Sequence, residues 1–488
     1  MFVLALSICT TSVLLGFLVV TLSLDISYGK SVILLIGMVL MLSLIRQTAI
    51  KVKRVIESVQ WWHVLWLFLM LSGLTFRVRD TQVIQEDPID AWAFYRIGLM
   101  SVLGLVLLHK GMQGNPAWFG LLFRRLTGFL SLYSVIAMVS TLWSVYPAWT
   151  LYRAIEYFIA VSLVAAIVVA SQSTDQFRSF FDWTWLLMGI KIAIVWVEVM
   201  FWPERAIRPD VGLLGIQIQG FWPRINPNGV GELSAIIGAV AFTRLLLKQE
   251  SRRFYASILL LGIITLMFSQ SRAPLMGFVV AMLLVLVASK RIGLLMLLML
   301  ISGLVVTTSA IKLVQRFFIR EQNPYLFATA SGRFRWWKFG WNAFLERPFT
   351  GFGAYIGSRI VVLSDLGRVI SSSIHNTYLE VLLGTGLPGL IPIILTVVGV
   401  WWLLFRLLSS FEEGTLERRL LLEALAVLAV VSVRSVFTTG LIYHNSITFF
   451  LVLSLIEFLR RNRQTDLERL TGKTALPSGR EMYVVAPR

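Results

Sequence analysis

The stretch HNTYLEVLLGTGLPGLIPIILTVVGVWWLLF, residues 375–405, decides how the chain is read. Between Tyr378 and Phe405 the only charged side chain is Glu380. A run of that length and polarity reads as a transmembrane helix. A polar approach, Ser371-Ser372-Ser373-Ile374-His375-Asn376, precedes it and puts a histidine at the mouth of the span. The ordinary role of such a histidine is a hydrogen bond at a helix start. The serines and Asn376 give this one polar surroundings, where a neutral imidazole can take a proton from a hydroxyl. Gly386 and Gly389 stand i,i+3, on one helical face where a neighbouring backbone can approach closely.

Working outward, comparable apolar windows occur at 2–24, 31–46, 61–76, 92–109, 124–143, 150–171, 180–202, 228–247, 254–269, 273–289, 292–311, 419–438 and 441–459. With 378–405 they predict an all-α polytopic bundle of about 12–14 spans. The composition agrees: of 488 residues, 57% are hydrophobic and 14% charged, against about a quarter charged in soluble domains. A β-barrel would show short alternating segments instead. The net charge of +18 points to topology and membrane lipids as partners, not to nucleic acid. Cys9 is the one cysteine, which excludes an intrachain disulfide and a cysteine-based metal cluster. The first span lacks a small-residue cleavage site and reads as a retained helix.

Lysine and arginine concentrate in alternate loops, for example Lys51, Lys53 and Arg54; Lys110, Arg124 and Arg125; Arg252 and Arg253; Arg418 and Arg419. These loops are expected inside, together with both termini. The organisation that follows is a front bundle over 1–311, an extracytoplasmic loop over 312–377, last spans over 378–459 and a basic cytoplasmic tail over 460–488. Within the loop, Arg333-Phe334-Arg335-Trp336-Trp337-Lys338-Phe339 is aromatic and basic and runs on to Glu346 before Pro348 stops it. It reads as an amphipathic helix lying at headgroup depth. Gly351-Phe352-Gly353 then predicts a turn.

Arginines stand on the side of His375: Arg272 in the tight turn Ser269-Gln270-Ser271-Arg272, Arg333 and Arg335 at the head of the aromatic helix, and Arg224 before Pro227. Guanidinium groups fork onto phosphate oxygens and stay charged beside lipid; snorkelling to headgroups is the plainer role. Arg153, Glu156, Lys191, Glu198, Glu232, Glu380 and Arg434 fall inside apolar windows. Such residues face a bundle interior or a wet cavity, and structural pairing is the simplest expectation for them. Glu380, one turn beyond Asn376, can orient the histidine or gather substrate. His444-Asn445 is a second histidine–asparagine pair without the glycines. Asp80, Glu86, Asp87 and Asp90 share one loop. Nothing resembles a phosphate-binding loop or a dinucleotide fingerprint.

The string His375-Asn376-x9-Gly386-x2-Gly389 at the end of a large loop resembles the signature of bacterial O-antigen ligases, whose superfamily includes O-antigen and exopolysaccharide polymerases. Ser331-Gly332-Arg333, Trp337, Pro348 and Gly351-x-Gly353 resemble the loop of that family, and Ser271-Arg272 its preceding turn. The resemblance spans roughly 220–400. It implies an inverting, metal-independent glycosyltransferase without a cofactor, in the bacterial inner membrane, with its site facing the periplasm. The donor implied is a glycan on undecaprenyl pyrophosphate; the acceptor is lipid A–core or a second lipid-linked glycan. His375 is then the catalytic base. Arg272 and Arg333 hold the pyrophosphate. From their own chemistry, apart from the resemblance, Arg224, Arg335, Asn376 and Glu380 are further expected substrate-binding residues. A lipid-linked glycan transporter is the alternative from another class, though such proteins often carry internal repeats and none is evident here.

Overall fold

The computed structural model describes residues 36–37, 40, 44, 55–76, 91–113, 117–209, 211–247, 251–308, 310–319, 329, 332–355 and 374–470. Each predicted span from residue 61 onward coincides with a helix. These are α1 (Trp61–Ser72), α2 (Ala91–Gln113), α3 (Ala117–Leu122), α4 (Arg125–Val139), α5 (Pro147–Ala170) and α6 (Thr174–Phe201), followed by α7 (Pro227–Leu246), α8 (Arg252–Ser269), α9 (Arg272–Ala288) and α10 (Ile292–Thr307). Two helices of the loop come next, α11 (Ala310–Ile319) and α12 (Arg333–Glu346), then α13 (Thr377–Ser410), α14 (Leu416–Ser435) and α15 (Ile447–Leu470). Span 2–24 with Cys9, most of span 31–46, the acids at Asp80, Glu86, Asp87 and Asp90, Ser331, the Ser371–Ser373 run and the tail beyond 470 lie outside the described residues.

Among the described residues, 7 helices are long and apolar enough to cross a membrane. Strands are confined there to two short antiparallel hairpins between α6 and α7: β1 (Ile207–Pro209) with β2 (Ile216–Ile218), and β3 (Gly220–Phe221) with β4 (Arg224–Ile225). The chain is an all-α polytopic membrane protein. At its centre stand α14 and α15, where Leu420–Val431 and Phe449–Leu459 are buried almost without interruption. A helix apolar on every side belongs inside a bundle. α14 packs against α9 and α7, and α15 against α14 and α5.

Two helix ends differ from the sequence expectation. α15 begins at Ile447 instead of 441, because Gly440–Ile442 forms a 3-10 turn and Ser446 hydrogen-bonds back to the Gly440 and Tyr443 carbonyls. It continues to Leu470, so the first part of the expected tail is helical.

A buried ion cluster that the sequence reading did not single out joins three helices at the end of the bundle away from the hairpins. The Arg244 guanidinium forks onto Glu423 (Nε–Oε1 2.8 Å, Nη2–Oε2 2.7 Å) and also reaches Asp182 at 2.6 Å. It ties α7 to α14 and α6. Removing Glu423 takes the bidentate partner from a buried guanidinium and leaves Asp182 as its remaining carboxylate. Glu423→Ala is therefore expected to cost about 1–3 kcal/mol, read as a fall in the melting temperature of the detergent-solubilised protein. Glu413→Ala breaks the Lys290–Glu413 pair, whose side chains are 75% and 66% exposed, and is expected to cost only ~0–1 kcal/mol.

Candidate functional site

One end of the bundle gathers the starts of α2, α5, α7, α9, α13 and α15. Side-chain bonds show the convergence: Ser271 Oγ meets Asn228 Oδ1 at 2.7 Å, joining the starts of α9 and α7, and Thr377 Oγ1 donates to the Thr438 carbonyl at 2.7 Å, joining the start of α13 to the segment after α14. His375 stands at this end.

The backbone geometry around His375 is unusual. Asn376 is the N-cap of α13, and its Oδ1 accepts the Tyr378 and Leu379 N–H groups, each at 3.0 Å. Capping by asparagine is the ordinary way to satisfy a helix start. His375 itself has φ +54, in the left-handed region. Non-glycine residues in that region are uncommon and concentrate at functional sites. Contacts to Ile374 and to the ring help to hold it there. Glu380, buried at 2% exposure, takes the Ile374 N–H at 3.4 Å; Trp337 Nε1 donates to the Ile374 carbonyl at 3.0 Å; and the Trp336 ring stacks on the imidazole with centroids 6.0 Å apart.

The glycines act differently from the expected shared face. Gly386 has φ +66 and breaks α13 into two helices. Leu387 N donates not within the helix but to the Pro348 carbonyl at 2.8 Å, and a Cβ on Gly386 would stand 2.5 Å from that same oxygen. Pro388, with no N–H, cannot continue the first helix. The loop after α12 fills the break: Phe352 N donates to the Leu383 carbonyl at 2.7 Å and Gly353 N to that of Gly384 at 2.9 Å. A Cβ on Gly351 would meet the Gly384 carbonyl carbon at 2.5 Å. Two backbones therefore form one seam, and it fixes α12 beside the mouth of α13. The inner face of α12 seals it further, with Ala343 and Phe344 packing on Ile374, Leu379 and Leu383. Its outer face leaves Phe334, Trp341 and Leu345 about half exposed, at 49%, 50% and 58%. That split is what an interfacial helix requires.

The arginines divide into two groups. Arg333, the first residue of α12, donates to the Phe437 carbonyl at 3.1 Å. Arg272, the first residue of α9, donates to the Ile319 carbonyl at 3.2 Å, at the end of α11. Each guanidinium has five donors in a planar fork, and these carbonyls help to fix its direction. The groups feel one another. Burial, then the Arg272 charge, lowers the proton affinity of Arg333; burial, then the Arg333 charge, lowers that of His375 to about 4. The imidazole is therefore neutral around pH 7, with the Arg333 guanidinium in electrostatic reach of it and Arg272 in reach of Arg333. Arg224 and Arg335 do not join this group. Both side chains are exposed, and neither enters a hydrogen bond or ion pair among the described residues.

The other membrane-embedded charges are mostly paired. Arg434 binds Glu232, and Glu198 accepts the Phe221 and Trp222 N–H groups at 2.9 and 2.8 Å. Glu156 lies 2.9 Å from Arg153, 3.6 Å from Arg96 and 3.4 Å from His444. The His444-Asn445 pair therefore belongs to a second cluster, away from His375 along the chain but at the same end of the bundle. Sequence spacing could reveal the i,i+3 pair Arg153–Glu156; nothing in it links Arg96 or His444 to them.

Residues 256–394 match the family model described as O-antigen ligase. No curated protein matches the chain. The matched segment contains Arg272, Arg333, the α12 loop, His375 and the Gly386 break, and it supports a membrane glycosyltransferase of the O-antigen ligase or polymerase type.

Proposed function

We propose that the chain transfers a glycan from a polyprenyl pyrophosphate to a sugar hydroxyl, with inversion, at the extracytoplasmic face of the membrane. One observation carries this: a neutral imidazole in a constrained backbone at a helix mouth feels the charge of the anchored Arg333, which in turn feels that of the anchored Arg272. His375 accepts the proton of the acceptor hydroxyl. The oxygen forms a bond to the anomeric carbon as the bond from that carbon to the pyrophosphate oxygen breaks, and the electron pair leaves with the polyprenyl pyrophosphate. Arg272 and Arg333 stabilise the charge that gathers on the departing group, the role of fixed donors aimed at developing negative charge. Attack from the side opposite the leaving group inverts the anomeric centre. The exposed rings of α12 border the site and suit a donor whose polyprenyl tail stays in lipid. The positive loops opposite this end support an inward position for both termini and an outward one for the site. Lipid A–core and a second lipid-linked glycan are the two acceptors in keeping with the family match.

The electrostatics give the donor a second role. Arg333 depresses the proton affinity of His375, and a pyrophosphate bound to Arg333 neutralises that cation. Donor binding thereby strengthens the base just before it is needed. Neutral imidazole is the working form, so activity is lost as pH falls through its pKa. The acid limb of kcat/KM for the donor, which reports the free enzyme, is expected near the His375 value of about 4. The limb of kcat should lie higher. Arg333→Gln is expected to raise the free-enzyme limb part of the way back to the ordinary histidine range, since burial remains.

Reconstitution with an undecaprenyl-pyrophosphate glycan and either lipid A–core or a second lipid-linked glycan tests the reading. One of the two is expected to be extended, with inverted anomeric configuration and release of polyprenyl pyrophosphate. Movement of intact donor across the bilayer without any new glycosidic bond would favour a transporter and contradict it.

A further inference from the structure

A second constellation at the same end of the bundle has no part in the chemistry at His375. Its first component is a set of aromatic rings drawn from three separate segments. Phe76 stacks on Trp92 with centroids 5.2 Å apart and stands 5.3 Å from Trp222; Trp92 meets Tyr95 edge-on at 6.2 Å. Trp222 is 64% exposed, Tyr95 38% and Trp92 36%. Trp222 is not part of a span. It sits at the tip of the β3–β4 hairpin, where Glu198 accepts its N–H and that of Phe221. A backbone bond from Arg224 to the Thr75 carbonyl pins the segment after α1 to β4 and so places Phe76 between the two tryptophans.

The second component lies just beneath. The Arg153 guanidinium is 4.8 Å from the Trp149 ring centroid, 5.5 Å from Tyr152 and 5.8 Å from Tyr443, and Arg96 is 6.0 Å from Tyr152. Arg153 is 8% exposed, and its Nε makes no hydrogen bond. Arg96 and Arg153 both lie against the carboxylate of Glu156. Gly73, at the end of α1, packs on Asn445, which joins the ring set to the His444 side of this cluster. Tyr443 in turn stands 5.7 Å from Tyr355, in the loop that fills the Gly386 break. The constellation is thus continuous with the walls of the His375 centre.

We infer that Phe76, Trp92 and Trp222, with Arg96 and Arg153, form a carbohydrate-binding subsite for the acceptor glycan, separate from the His375 centre. The inference rests on the transfer reading above. Flat exposed rings offer faces to the C–H side of sugar rings, and guanidinium groups donate to hydroxyl or carboxylate oxygens. A lipid headgroup needs only surface arginines, whereas here the cations lie below a rim of rings, one of them carried on a hairpin outside the spans. Arg224, exposed beside Trp222, then belongs with the acceptor and not with the pyrophosphate.

The test uses the full chain in nanodiscs. Lipid-free core oligosaccharide and lipid-free repeat-unit oligosaccharide are titrated separately by calorimetry. One of them is expected to bind, and Trp92→Ala and Trp222→Ala are each expected to weaken that binding about tenfold. Both rings are exposed, and unchanged melting temperatures confirm that the variants fold. Trp402→Ala, a ring 59% exposed towards the other end of α13, should leave binding as it was. Trp92→Phe should restore most of the loss. In turnover at saturating donor, the acceptor KM rises in both alanine variants while the donor KM holds. Binding of neither oligosaccharide, or equal binding by wild type and variants, overturns the subsite. Loss of anionic-lipid retention in the variants with no change in oligosaccharide binding assigns the rings to a lipid belt and also overturns it. Tryptophan-dependent oligosaccharide binding without any new glycosidic bond from lipid-linked donor would instead sink the transfer reading and leave the subsite standing.

Discussion

His375→Ala is expected to lower the rate of glycan transfer by about 10²–10⁴-fold, the usual contribution of a positioned general base. The measurement is single-turnover transfer from lipid-linked donor in proteoliposomes. Donor affinity should change little, because the proposed reaction assigns the imidazole to the acceptor hydroxyl and the pyrophosphate to the arginines. Folding should survive: Asn376 still caps α13, and the Phe352–Leu383 and Gly353–Gly384 backbone bonds that seat the loop do not involve the ring. Alanine must occupy the same left-handed backbone at φ +54, so some local loosening is expected. His375→Asn tolerates that conformation better and separates the two causes. If the loss is chemical, His375→Asn is as inactive as His375→Ala; if it is conformational, activity returns.

Arg333→Ala and Arg272→Ala are expected to reduce kcat by about 10²–10³-fold each, in the range found when a fixed donor is removed from developing negative charge. The two losses should not add, since in the proposed reaction both groups act on one leaving group. Lysine is a weak replacement at either position. Each guanidinium is anchored by one carbonyl, Phe437 for Arg333 and Ile319 for Arg272, and a point charge cannot both keep that anchor and fork onto phosphate. Arg335→Ala is the contrasting case. Its exposed side chain projects from the same helix without partners among the described residues, and it should alter transfer only slightly. A poorer leaving group would make the Arg333 loss larger, which a series of donor phosphates of graded charge would reveal.

Much of the bundle is readable from apolar windows, because a span of twenty residues leaves little room for another structure. Helix boundaries were off where side chains intervene, as at Ser446, whose bonds to Gly440 and Tyr443 delay α15. The nearness of Arg333 to His375 agrees with the side of the membrane on which the sequence puts both, whereas the chain of charges from Arg272 through Arg333 is visible only in the fold. The break at Gly386 was only half legible. Gly-Leu-Pro-Gly announces a special backbone, but what fills the break is a loop some thirty residues earlier in the chain. Glu380 reads in sequence as a residue near the histidine, and only the fold gives it the Ile374 N–H. The Arg244–Glu423–Asp182 cluster and the Phe76–Trp92–Trp222 rings were not legible at all. Their members are brought together from distant helices and hairpins, and no local period or spacing records such a meeting.

A structure of the full chain in nanodiscs with undecaprenyl pyrophosphate bound would test the central claim most directly. The account predicts the pyrophosphate within hydrogen-bond reach of both Arg272 and Arg333, with the prenyl chain leaving past α12 and the His375 ring open on the opposite side. A pyrophosphate seated away from both guanidinium groups, or a His375 ring turned from it towards hydrocarbon, would contradict the account.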